Sequence, residues 1–475
     1  MGEVNSTLNA IIQINPDALK IAAALDEERR NNGVCQGQGD GYDLGPLHGI
    51  PILIKDNIAT ADSMSNTAGS YALVGSKVPR DSHMVSKLRK AGAVLLGKTN
   101  LSQWANFRCG SCAMNGWTAV GGQTYGAYYE KHDPSGSSSG SAVASSVGLA
   151  WACLGTETSG SIVSPAQAAN IVGIKPSVGL TSRDLVIPIS EAQDTVGPMA
   201  RTVKDAAGLL QIIAGRDCHD NYTLAVPFVK IPNYVAACTG KGLHGVRIGV
   251  ADELVPDADT PSGRVVRQAI TTLASLGATI VKDVKMPGFD EPTDDTTLLE
   301  VDFASDVEKY LSQLSHNPNN IHSLQDLIRF TQKDPREDWP NRDTELWESA
   351  IKLGYNNTDI RQWKLRQAHK KAAGDDGIDY ALAKYNLHAL VGDTDSVASW
   401  AALVGYPVVT VPAGSTLATG GNLPIGLGLT SKKWSEETLI HIAYVFEQAT
   451  LMRQKLQPVY KPVTDLKDVI KNHEF

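Results

Sequence analysis

Residues 142–157, AVASSVGLAWACLGTE, are small, apolar and unbroken, and the stretch before them, Pro134 to Ser141, is almost entirely serine and glycine. The apolar part reads as a buried central helix running into a strand. By composition alone, the polar part of 121–140 could be a flexible linker. A flexible linker is not normally pinned between core elements, so this stretch is read as part of the folded core.

The flanking sequence sets the class. Residues 16–32 carry apolar residues at three-to-four spacing behind Pro16 and Asp17, which predicts an amphipathic helix. The Gly-rich segment 33–47 reads as a loop, and GIPILIKDNI (49–58) as a short buried strand entering a polar turn. A helix over 81–92 leads into a strand over 93–99. Further strands are expected at 246–253, 388–394 and 405–414, a helix followed by a strand over 264–284, and a helix over 435–456. Such alternation points to an α/β protein. Residues 296–376 are mostly helical and strongly charged, and read as a helical cap or insertion. Length alone allows about three domains, yet large α/β enzymes run long as one unit. No internal repeat is present, and one domain over 1–475 with a helical cap fits better than two independent domains.

The charge balance narrows the partners. Lys and Arg total 43 against 51 Asp and Glu, with no basic block. Nucleic-acid binding, which needs clustered cations, is not expected. No apolar run reaches the ~20 residues that span a bilayer. The start, MGEVNSTLNAII, lacks the pattern of a secretory signal, so a cytoplasmic location is expected. A secreted protein whose signal has been removed is the alternative, and Asn5, Asn100, Asn221 and Asn356 each begin an N-x-S/T triplet. Six cysteines (Cys35, Cys109, Cys112, Cys153, Cys218 and Cys238) are too sparse for a disulfide scaffold. Cys109-x-x-Cys112 has no second pair to complete a zinc site, so reduced thiols or a local disulfide are expected, with no metal.

The chemistry sits in two Ser/Gly clusters, Pro134–Ser141 and Gly155–Ser161. A nucleophilic serine needs a base for its proton and donors for the oxyanion. Small residues around Ser161 let backbone N–H groups approach a carbonyl closely. None of the 11 histidines lies within either cluster, and His48 reads as a turn-stabilising residue. Lys55, at the end of the apolar run Ile50–Ile54, is the candidate base. Burial disfavours its ammonium form. Lowering a lysine from ~10.4 to ~7.5 takes about 4 kcal/mol of differential environment. The plain alternative is that Lys55 reaches solvent or pairs with Asp56. Gly136–Gly140 also matches G-x-S-x-G, but a polar loop precedes it where a nucleophile elbow requires a strand.

Taken together, GPLHGIPILIKDNI, LRKAGAVLLGKTNLSQWANFR, NGWTAVGGQTYGAYY, DPSGSSSGSAVASS, GTETSGSIVSPA and VGIKPSVGLTSRDLVIPISEAQDTVGPMARTVKDAA resemble the amidase-signature family of serine hydrolases. The match is dense over about 45–215 and thinner to the C-terminus, and is most similar to the branch of fungal and plant amidases and bacterial peptide amidase. The resemblance implies one α/β/α domain with a large central mixed sheet. It implies an amide hydrolase that cleaves carboxamide C–N bonds of small-molecule or peptide substrates through an acyl-enzyme, without cofactor or metal, as a monomer or homodimer. Lys55 matches the family base, Ser137 the bridging serine that a cis peptide usually holds, and Ser161 the nucleophile. Thr158, Ser159, Gly160 and Ser161 match the oxyanion segment, and Ser138 a supporting hydroxyl. Departures from the family pattern are Ser159, Ser139, Glu157 for Asp, Val163 where Arg is common, Gln103 for Glu, Gly392-Asp393 for Pro, and a late start of the chain. Two other readings remain: an amidotransferase subunit making ammonia for a partner, and a catalytically idle binding protein that kept the fold.

Overall fold

The computed structural model describes residues 2–34, 44–418 and 420–463; residues 35–43 of the Gly-rich segment, Cys35 among them, lie outside these. The strands are β1 (Ile11–Ile14), β2 (Pro51–Lys55), β3 (Val94–Thr99), β4 (Trp117–Thr118), β5 (Gly122–Gln123), β6 (Ala152–Glu157), β7 (Val172–Lys175), β8 (Thr195–Ala200), β9 (Arg247–Gly249), β10 (Thr279–Val281), β11 (Ala389–Asp393), β12 (Val408–Ala418) and β13 (Gly421–Thr430). β4 and β5 form a small ribbon. The other strands make one mixed sheet in the order β1-β3-β2-β6-β8-β7-β12-β13-β11-β9-β10. β2 runs parallel to both β3 and β6, and β6 antiparallel to β8.

β2 shows why the sequence reads as unbroken apolar residues. Ile52 and Ile54 belong to one buried cluster with Leu95, Leu154 and Val196. Leu53, pointing the other way, packs with Val143, Ala144 and Cys153 in another. Both faces of the sheet are covered, so no position is left for a polar residue until the strand ends.

The serine-rich stretch lies in the core. Helix Ser139–Ser146 starts earlier than expected and every residue in it is buried. Its hydroxyls are satisfied by carbonyls of neighbouring segments: Ser141 donates to Leu154 O (2.9 Å), Ser145 to Met199 O (3.0 Å) and Ser146 to Ala169 O (2.7 Å). A buried hydroxyl with a partner is tolerated where an unpaired one would cost about 1–3 kcal/mol. Gly140 is required here, because a Cβ would lie 2.2 Å from Ala10 O.

The charged stretch forms helices Asp295–Ser312, Leu324–Lys333, Glu345–Leu353 and Ile360–His369. Asp294 and Ser323 cap the first two by accepting from Thr297 N and Asp326 N. Their inner faces bury Phe303 and Trp347 against Trp104, Phe107, Ile187 and Ile189, on loops that surround the ends of the central strands. Each such aromatic contributes on the order of 2–3 kcal/mol.

The last long helix, Glu436–Thr450, stops short of its expected end. Leu451 takes a left-handed φ of 48°, and a separate turn, Met452–Lys455, follows. Among the described residues, no helix is long and apolar enough to cross a membrane. Cys109 and Cys112 are joined in a disulfide, whereas Cys153, Cys218 and Cys238 are free. Asn100 is fully buried, and its amide donates to Gly122 O and Thr124 Oγ1, so the folded chain does not offer this N-x-S triplet for modification.

Candidate active site

The candidate residues gather at the carboxyl ends of β2 and β6, where open α/β sheets place their ligand sites. Lys55 closes β2, and the turn bearing Ser161 follows β6 directly. Ser137 precedes helix Ser139–Ser146, and the Gly136–Ser137 peptide is cis. The stretch before it is a loop, so the G-x-S-x-G match lacks its strand.

Lys55 is fully buried. Its Nζ lies 2.8 Å from Ser137 Oγ, 3.0 Å from Ser138 Oγ, 2.9 Å from Thr156 Oγ1 and 3.2 Å from Thr156 O. It makes no ion pair with Asp56 or any other described acid, and it does not reach solvent. Burial lowers its pKa to about 7, while the more distant charges of Asp194 and Glu157 pull it back up. An amine ringed by hydroxyls and a carbonyl therefore stands poised between its two forms at neutral pH.

Ser138 faces inward. Its hydroxyl donates to Thr156 O (3.0 Å) and accepts from Thr156 N (3.2 Å), which fixes the end of β6 against the serine loop. Asn57 Nδ2 donates to Thr156 Oγ1 at 3.0 Å. The serine loop and the turn bearing Ser161 meet through Ser138 N and Ser161 O, 3.1 Å apart. Lys55 and Ser137 are thus in direct contact, and Ser161 is held beside them. Among the described residues, no hydrogen bond joins Ser161 Oγ to Ser137.

The turn 158–161 is shaped by two carboxylates. Glu157 accepts from Gly160 N (2.9 Å), Ile162 N (2.7 Å) and Val163 N (3.0 Å). The Gly160 amide therefore faces Glu157, while the amides of Ser159 and Ser161 have no hydrogen-bond partner among the described residues. Burial raises the Glu157 pKa, and Lys175 together with these three N–H groups opposes the rise. Thr158 Oγ1 donates to Asp194 Oδ1 at 2.6 Å. Asp194 Oδ2 in turn accepts from Ile189 N (2.8 Å) and Ser190 N (3.1 Å). Burial pushes Asp194 up to about 6, against the pull of these donors. A narrow crevice beside Thr156 and Thr158 is lined by Asn57, Ala105, Ile187, Ile189 and Asp194.

Four of the departures sit in settings that the structure makes plain. Ser159 carries an exposed side chain. Val163 is buried in an apolar cluster with Ile162 and Ala166, where no charge is needed. Gln103 joins a buried group with a carboxylate from far along the chain: Gln103 Nε2 donates to Glu337 Oε2 at 2.8 Å, and Arg108 donates to both side chains. Asp393 caps helix Thr394–Leu403 by accepting from Ser396 N. His48 links its turn to helix Ala18–Val34, with Nε2 3.2 Å from Glu28 and Nδ1 accepting from Arg29. Sequence reading missed Thr156, Asn57 and Asp194. Asp194 lies in the QDTVGPMAR stretch that carries the resemblance, but no spacing rule ties it to Thr158.

Comparison with known proteins bears on the fold and the family. The Amidase family model matches residues 1–440. An amidase-family protein of Arthroderma benhamiae is 47% identical over 99% of this chain and 81% of its own length. The crystal structure of native peptide amidase from Stenotrophomonas maltophilia superposes with a TM-score of 0.85 at 42% identity, covering 96% of this chain and 91% of that one. A glutamyl-tRNA(Gln) amidotransferase chain of Geobacter metallireducens is more distant, at 31% identity over 94% of this chain and 91% of its own. The large mixed sheet with its covering helices, the buried lysine at a strand end and these matches lead to one conclusion: the chain belongs to the amidase family, as an enzyme acting on amide C–N bonds.

Proposed function

We propose that the protein hydrolyses carboxamides through an acyl-enzyme on Ser161, with Ser137 and Lys55 as its proton relay. The observation that carries this reading is the setting of Lys55, fully buried and 2.8 Å from the Ser137 hydroxyl. A neutral amine has two N–H groups and one lone pair. Thr156 O can only accept, and Ser138 Oγ already donates to that carbonyl, so these two groups take the N–H bonds. The lone pair is then left for a hydroxyl, and Ser137 Oγ at 2.8 Å is the nearer of the two that remain, with Thr156 Oγ1 at 2.9 Å.

In the forward step, Ser161 Oγ forms a bond to the amide carbon. Its proton passes to Ser137 as the Ser137 proton passes to Lys55. The carbonyl oxygen takes the negative charge and accepts from the Ser159 and Ser161 amides. The C–N bond then breaks, and the relay returns a proton to the departing ammonia or amine. Water attacks the ester by the same relay and releases the carboxylate. The relay needs a hydrogen bond from Ser161 Oγ to Ser137, and catalytic hydrogen bonds often tighten only when substrate is bound. The likeness to peptide amidase favours C-terminal peptide amides, alongside small amides, as the substrate class.

Labelling with a fluorophosphonate, followed by peptide mapping, tests the assignment. An adduct on Ser161 is expected. An adduct on another serine, or none on folded protein, overturns it.

A further inference from the structure

Helix Asp295–Ser312 carries Asp295, Asp302 and Asp306, at spacings of seven and four that place them on one stripe. Each takes a hydrogen bond from the loop that ends at Asp194. Gln193 Nε2 donates to Asp295 Oδ1 (2.6 Å), Ser190 Oγ to Asp302 Oδ2 (2.5 Å), and Glu191 N to Asp306 Oδ2 (2.7 Å). Asp302 is itself fixed by Gln362 Nε2 (2.6 Å) and Arg366 Nη2 (2.9 Å). The other end of the loop holds the Thr158 hydroxyl through Asp194.

Packing does not account for this stripe. Asp302 and Asp306 are buried, and burying a carboxylate costs free energy that an apolar side chain would avoid. The same layer leaves Gln193 Oε1, Gln362 Oε1 and Arg366 Nε buried without a partner. What the three aspartates share is the loop they grip.

We propose that this helix acts as a clamp, with Asp295, Asp302 and Asp306 as positioning residues that hold the 189–194 loop, and through Asp194 and Thr158 the turn bearing Ser161, in the geometry for attack. The proposal rests on the reading of Ser161 as nucleophile. The contacts run from the helical segment to the turn without touching the reacting atoms. Loss of one aspartate should therefore slow the chemical step and leave substrate affinity nearly unchanged.

The test compares Asp306→Ala, Asp306→Asn and Ser190→Ala, each checked for folding by its thermal melt. Two readouts are taken: the rate of fluorophosphonate labelling at Ser161, and kcat and KM on a simple amide. Asp306→Ala should slow labelling and kcat about tenfold, the scale of a sub-ångström misplacement. KM should stay within about twofold, as expected when only transition-state geometry is lost. Asp306→Asn keeps an oxygen for the Glu191 amide and, with the Asn357 side-chain amide, which now donates to Asp306 Oδ1 (3.1 Å), turned over to accept, should recover most of the rate. Ser190→Ala, losing the bond to Asp302 and the longer one accepted from Ala192 N (3.2 Å), should fall about fivefold. Folded Asp306→Ala labelled at the wild-type rate, or Asp306→Asn no better than Asp306→Ala, overturns the clamp. If Asp306→Ala does not fold, unchanged rates in Ser190→Ala overturn it instead. A wild-type protein that gives no adduct on Ser161 overturns the nucleophile reading and the clamp together, whereas labelled wild type with unaffected variants overturns the clamp alone.

Discussion

Lys55 and Lys98 sit on neighbouring parallel strands and are both fully buried, yet they are built for different ends. Ile54 pairs with Lys98 in the register of β2 and β3, so Lys98 shares the face of Ile54 and Lys55 occupies the opposite one. Lys98 donates to Ile58 O (2.5 Å) and Asn66 Oδ1 (2.7 Å), with the Asp56 carboxylate near it. Burial lowers Lys98 to about 8, and Asp56 opposes the fall. Lys55 has no such close carboxylate, falls to about 7, and touches three hydroxyls. Burial alone makes an amine easier to deprotonate. In the proposed mechanism, only the hydroxyl partners give its lone pair a route to a nucleophile.

The comparison can be broken in three places. Lys55→Ala should cost about 10⁴-fold or more in kcat, as removal of a member of a catalytic unit does, with the fold retained in circular dichroism. Lys98→Met should do the reverse. It leaves Asp56 buried without its cation and should destabilise the protein by about 3 kcal/mol, read as a lowered midpoint in urea, while kcat per folded molecule stays near wild type. Equal losses of activity in the two variants would erase the distinction. Ser138→Ala sharpens it. The amine keeps Ser137 but loses one acceptor, and Thr156 loses the two hydrogen bonds that fix the end of β6, so kcat should fall about tenfold or more, yet by less than in Lys55→Ala.

The strands that carry this chemistry were legible because each is a short apolar run ending in a polar residue. PILIK and AVLLGKT fall where they were expected, as β2 and β3. The serine cluster could be assigned to the core because of the apolar segment behind it. β13, GNLPIGLGLT, was not legible: its glycines and proline speak against a strand. It pairs with β12 on one side and β11 on the other, and a Cβ at Gly426 or Gly428 would collide with Thr410 or Thr394. Close packing there selected glycine over β-formers. β1 is a short edge strand, with too few residues to show a period. The aspartates of helix Asp295–Ser312 look in sequence like a solvated charged face, and only the tertiary fold turns them onto the 189–194 loop. Gln103 looked like a lost carboxylate until Glu337 supplied one from the helical segment.

The central claim is that a neutral Lys55 draws the proton from Ser161 by way of Ser137. Its most direct test is the pH dependence of fluorophosphonate labelling at Ser161. Lys55 must be uncharged to accept, so the wild-type rate should fall about tenfold per unit below its pKa and level off above it, with an inflection near 7. Lys55→Ala and Ser137→Ala should both lose this profile along with most of the rate. A Lys55→Ala protein that labels at the wild-type rate, with the same inflection, would contradict the account.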